Sequence, residues 1–191
     1  MKKNNLLQKL VINEKAFTLY EILAALTILA ITFTLVIPFF INTRRNAALN
    51  LLETNQKVLY NIVTQYNILD YTPQVGDAGI IRNELRDIMN ESLNQIKNPS
   101  NQCIEIISST QAGSSDCAAI VVAQNNHANG MDWLLENPST RLWPLRSSDS
   151  ESSKNKFIGS IIITICNDGY IIFAYPEYNK IHNPLKYYYS N

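Results

Sequence analysis

Apolar positions run from 17 to 41 with a single charge among them, Glu21, near the start. At 1.5 Å per residue such a helix spans about 37 Å, more than the roughly 30 Å of bilayer hydrocarbon. The run is too long for the apolar core of a secretory signal peptide, and Asn42, Thr43, Arg44 and Arg45 follow it where a small-residue cleavage site would stand. The pattern therefore predicts a membrane-length helix, kinked at Pro38, where the hydrogen-bond ladder loses a donor. Beyond residue 41 the pattern narrows to one stripe. Ala48, Leu52, Leu59, Ile62, Tyr66 and Leu69 recur at three-, four- and seven-residue spacings, while Gln, Asn and Lys fill the other face. This predicts an amphipathic continuation over 42–72, ending before Pro73, since the residue before proline avoids helical angles.

The remaining residues, 73–191, read as a globular unit. Ile81, Leu85, Ile88, Met89, Leu93 and Ile96 align on one face of a second helix, with Asn98-Pro99 as its stop. Short strands are expected at 103–108 and 118–123, and a polar loop over 124–156. Residues 157–166 and 169–175 are β-branched and aromatic, and Asp168-Gly169 between them is a hairpin signal. The stretch 176–191 reads as an irregular, tyrosine-rich tail. The expected class is α+β: a long N-terminal helix, membrane half plus amphipathic half, packed on a small antiparallel sheet.

Charge adds a direction. Sixteen basic and sixteen acidic residues cancel over the whole chain. Residues 1–16 hold Lys2, Lys3, Lys9 and Lys15 against Glu14, so the rest has twelve basic and fifteen acidic residues, a net charge of −3. Lysines ahead of the apolar run place the N-terminus in the cytoplasm and the bulk outside. No basic run follows Arg44-Arg45, so nucleic acid is not an expected partner.

A lone carboxylate in a bilayer-length helix is costly to insert, and its default reading is functional. Lys15, Ala16, Phe17, Thr18, Leu19 and Tyr20 precede it. A basic leader over 1–16, a small residue, an aromatic, Thr-Leu and then Glu resemble the processing site of type IV prepilins. The resemblance covers about 55 residues at the N-terminus; the globular unit is consistent with the α+β plan but carries no motif of its own. It implies cleavage by a prepilin peptidase between Ala16 and Phe17, then N-methylation of Phe17. Ala16 stands where glycine is usual before the cut, and Tyr20 where an aliphatic is usual. Thr18, Leu19 and Glu21 would belong to the assembly segment, and Pro38 matches the late proline of such helices. In a filament, Glu21 would pair with the new α-amino group of a neighbouring subunit, neutralising two charges in apolar surroundings.

The implied partners are other pilin or pseudopilin subunits, the prepilin peptidase, an inner-membrane assembly platform and the lipid membrane. The implied location is a bacterial inner membrane, single-pass, with the globular part in the periplasm before incorporation into a pilus or pseudopilus. The expected protein is structural, neither an enzyme nor a cofactor carrier. It reads as a minor pilin, with a minor pseudopilin of type II secretion or a signal-anchored periplasmic binding module as alternatives.

Three cysteines, Cys103, Cys117 and Cys166, fit an exported chain with one bridge and one thiol left over. Cys103 and Cys117 flank a polar stretch and are the favoured pair, closing a loop worth about 3 kcal/mol. Pairs involving Cys166 and three reduced cysteines are the alternatives. His127 and His182 lie far apart, the cysteines lack CxxC spacing, and no phosphate loop or GxSxG occurs, so metal and catalytic roles are not expected. Asp149, Glu151 and Asp168 are too sparse for a calcium site. Trp133 and Trp143 read as pins of a loop or as a contact surface, and Lys186-Tyr187-Tyr188-Tyr189 as a terminal strand or tail.

Overall fold

Residues 160–166 are buried on both sides of the strand they form, because both faces of its sheet are covered. The structure is a computed structural model that describes residues 18–66, 68, 78–91, 96–111, 114–124, 130–136, 156–177 and 180–188. It divides into two units, Met1–Arg44 and Arg45–Asn191. Helix α1, Leu19–Gln65, supplies the described helical residues of the first unit and begins the second. Then come α2 (Ala78–Glu91), β1 (Ile106–Ser108), β2 (Ile120–Gln124), α3 (Gly130–Glu136), β3 (Ser160–Cys166), β4 (Gly169–Glu177) and β5 (Lys180–Tyr188).

The fold class is α+β, as the pattern predicts, but the sheet is mixed. Its order is β1-β2-β3-β4-β5. β1, β2 and β3 are parallel neighbours, while β3, β4 and β5 are antiparallel. The expected all-antiparallel sheet fails because the 124–156 segment is not simply a loop. It contains α3, and a parallel pair needs a long crossover of this kind. A second difference lies at the C-terminus, where the stretch expected to be irregular forms edge strand β5. Leu185 and Tyr187 turn towards one core and Lys186 away from it, the period of two that defines a strand. Pro184 is tolerated there because an edge strand has one side free of ladder bonds.

In the second unit, residues 45–65 of α1 lie with α2 on one face of the sheet. Leu52, Leu59, Ile62, Ile81, Leu85 and Met89 share a buried core with Ile120, Ile161, Ile163 and Ile172. The opposite face buries Val121, Ile162, Ile171 and Phe173 under Met131 and Leu134 of α3 and under Phe157. Burial on both faces is why β3 shows no alternation of polar and apolar residues. The predicted α1 stripe holds at Leu52, Leu59 and Ile62, while Tyr66 is exposed and Leu69 lies outside the described residues. α1 closes at Gln65, earlier than 72, and Gln56 and Val63 join its buried face. Buried Gln56 is satisfied through its amide, which donates to the Ile172 carbonyl of β4 at 2.8 Å.

One buried side chain ties the loops together. Asn98, 1% exposed, donates from Nδ2 to the Ala118 carbonyl at 2.8 Å and the Ile158 carbonyl at 3.0 Å. Its Oδ1 accepts from the Ser100 amide at 2.8 Å. Gly159, at φ +88°, passes so close to Asn98 Oδ1 that a Cβ there would collide with it.

Candidate functional site

The first unit places Thr18 and Glu21 at the mouth of α1, and both side chains act on the helix start. The Glu21 carboxylate accepts from the Thr18 amide at 2.9 Å and from the Thr18 hydroxyl at 2.9 Å. Thr18 Oγ1 in turn accepts from the Glu21 amide at 3.3 Å. This is a reciprocal capping box, Thr-x-x-Glu, which satisfies helix-end donors that the sequence would otherwise leave open. The Thr18…Glu21 spacing was a signal for it in the sequence. Lys15, Ala16 and Phe17, the predicted processing site, lie outside the described residues.

Between Leu19 and Ile41 every large apolar side chain is exposed, including Leu26, Phe33, Leu35 and Phe39. This helix is long and apolar enough to cross a membrane, and none of its apolar stretch is buried in the chain. Its own polar atoms are turned inward. Thr27, Thr32, Thr34 and Thr43 return their hydroxyls to backbone carbonyls three or four residues back. A helix meant for an apolar medium needs just this internal satisfaction. Pro38 lies within α1, which continues through it.

The second unit contains the Cys103–Cys117 bridge, with Cα atoms 6.1 Å apart, and Cys166 is free and buried. The Glu105 carboxylate lies near both sulfurs, but those sulfurs are joined to each other and offer no thiolate to a metal. Burial pushes the Cys166 thiol from its ordinary 9.0 up to about 12, and the Asp168 carboxylate adds to the rise. The stability linked to this protonated thiol is full below the ordinary thiol range and fades as pH climbs towards the folded value. Native protein at about pH 8 should therefore resist alkylation. Unfolding without reduction should expose one reactive cysteine, and reduction should raise the count to three by mass spectrometry. Rapid labelling of the native protein would contradict the burial.

The other predicted positions resolve as follows. Both carboxylate oxygens of Asp168 accept from the Met131 amide at 3.1 Å, so this residue caps α3 from the β3–β4 turn. Gly130 sits at φ +68° against the same carboxylate, which leaves no room for a side chain. Trp133 is half-buried and packs on the α3 side of the core. Lys186 pairs with Asp132 at 2.6 Å, and Tyr187 stacks on Tyr170 with ring centroids 4.9 Å apart. His127, Trp143, Asp149, Glu151, Tyr189 and the side chain of His182 lie outside the described residues. Comparison of the chain with protein-family models, with curated proteins and with solved structures finds no match.

Proposed function

We propose that this protein is a subunit of a type IV pilus-like filament, made as a prepilin and used as a minor component. The observation that carries the reading is the wholly exposed apolar face of α1 from Leu19 to Ile41, with one carboxylate, Glu21, near its start and just beyond Ala16-Phe17-Thr18-Leu19-Tyr20. A surface of that kind needs an apolar medium, first the bilayer and then the packed helices of other subunits. Cutting before Phe17 would create a cation four residues from Glu21, and an intersubunit pair between the two would fix axial register. In this reading the globular unit faces the periplasm and is carried into the filament by the helix. The chain is the peptidase's substrate and does no chemistry of its own.

Shearing surface filaments from cells that make the protein tests the proposal. Antibody to the globular unit should detect the mature chain in the sheared fraction alongside other pilin subunits. Protein confined to the membrane fraction, while filaments are recovered without it, would support a tethered binding module in its place.

A further inference from the structure

The second unit contains a cleft of about 420 Å³ between α2 and a wall made by residues 104–107, Gln111, Ser114 and Ser115. That volume falls within the roughly 300–1,000 Å³ of small-ligand sites. Two features make it more than a gap. The first is an excess of positive donors. Arg82 and Arg86 stand one turn apart on α2, and like charges at that spacing repel. Among the described residues the Arg82 guanidinium bonds only to neutral amide oxygens, Gln111 Oε1 at 3.0 Å and Asn83 Oδ1, and its buried Nε–H has no acceptor there. Arg86 reaches, among the described residues, only its exposed neighbour Asp87, at 3.7 Å. Serines 114 and 115 line the side opposite α2, Ser114 Oγ donating to the Gln111 carbonyl at 3.0 Å, and Glu105 is the one carboxylate among the lining residues.

The second feature is the strand that forms the other wall. Among the described residues β1 is the edge of the sheet, paired only with β2. The Glu105 carbonyl accepts from the Ala119 and Ile120 amides on the β2 side. By strand alternation, the amide and carbonyl of Ile106 face away from β2, along an outer edge where the Ser108 amide is already held by Gln111 Oε1 at 3.2 Å. Exposed Ile104 adds an apolar side chain beside this edge. An edge strand beside apolar residues and a pair of guanidiniums suits an extended peptide: backbone bonds to the edge, a side chain on the isoleucine, and a carboxylate on the arginines.

We propose that this cleft binds a short extended peptide bearing a carboxylate, added alongside β1 with the carboxylate at Arg82 and Arg86. The Cys103–Cys117 bridge closes the loop that carries β1, Gln111 and both serines, so it holds the cleft in shape. The site lies within the second unit and is independent of the filament reading.

The test is titration calorimetry on the full chain in detergent micelles with three probes. These are acetyl-Thr-Val-Thr-Val with a free C-terminus, its C-terminal amide, and acetyl-Thr-Val-Asp-Val amide. Saturable binding of the free acid, weakened about tenfold or more by amidation, is expected for a terminal-carboxylate site. Recovery of affinity by the Asp-containing amide would assign the carboxylate to a side chain instead, within the same proposal. Arg82→Gln with Arg86→Gln should remove the preference for the acid, and reduction of the bridge should weaken binding. Thermal melts would verify that the variant is folded, and Arg86→Gln alone, at an exposed position, should give a partial loss even if the double variant is unstable. Equal binding of acid and plain amide, no saturable binding of any probe, or an unchanged preference in the folded Arg86→Gln variant would overturn the proposal.

Discussion

Glu21→Gln will keep the helix start and the processing of the chain, yet reduce its share of sheared filaments about tenfold or more through loss of an intersubunit ion pair. Two roles meet on this carboxylate, and the substitution separates them. Within the chain, Glu21 closes a capping box with Thr18 through its Oε2. Glutamine serves equally well at that third helical position, because its amide oxygen still accepts from the Thr18 amide and hydroxyl. Between subunits, the proposed role is a charge opposite a neighbour's α-amino group, and glutamine has none. Glu21→Ala removes cap and charge together. If charge is what matters, both variants are cut by the peptidase, which reads the flank, and both fail to assemble. If the cap is what matters, Glu21→Gln assembles like the parent and only Glu21→Ala falls short. That second pattern would reduce Glu21 to a helix-end residue. The readout is the ratio of mature chain in filament and membrane fractions.

Asn98→Ala will destabilise the second unit by about 3 kcal/mol, from lost hydrogen bonds and the groups left unpaired. Asn98 is buried and serves three segments, the 98–103 turn, the entry to β2 and the approach to β3. Removing the amide leaves the Ile158 carbonyl and the Ser100 amide without it, whereas the Ala118 carbonyl keeps its bond from Ser160 Oγ at 2.8 Å. Asn98→Asp should be worse, about 4 kcal/mol or more. It turns an acceptor towards two carbonyls and buries a charge without a partner. Urea unfolding of the full chain in detergent, followed by near-ultraviolet dichroism of the globular unit, measures both. A loss below about 1 kcal/mol for either variant would mean that water replaces the lost bonds and that the turn is not a buried hub.

Much of this architecture was legible in the sequence. The apolar run, the buried faces of α1 and α2, the β3–β4 hairpin and the Cys103–Cys117 bridge all depend on local pattern or short spacing. The parts that escaped depend on what lies across the sheet. The parallel pairing of β1, β2 and β3 was hidden because strand direction is set by the path of the connecting segments, which local pattern does not show. α3 was hidden because it is seven residues long and held from outside, by Asp168 at its start and Lys186 at Asp132. β5 was masked by Pro184, which is acceptable only once the strand is known to lie at an edge. Near Glu21 the sequence showed a costly charge and a resemblance to an assembly motif. The capping box with Thr18 was present in the same four residues but was overshadowed by the membrane-length run. The α2–β1 cleft had no linear signal at all, since Arg82 and Gln111 meet only through tertiary packing.

The most direct test of the filament account is the intact mass of the protein purified from membranes, with sequencing of its N-terminus. The account predicts a chain that starts at Phe17, carries one added methyl group on its α-nitrogen, and retains the disulfide. A full-length chain, or a start at any residue other than Phe17, would contradict it.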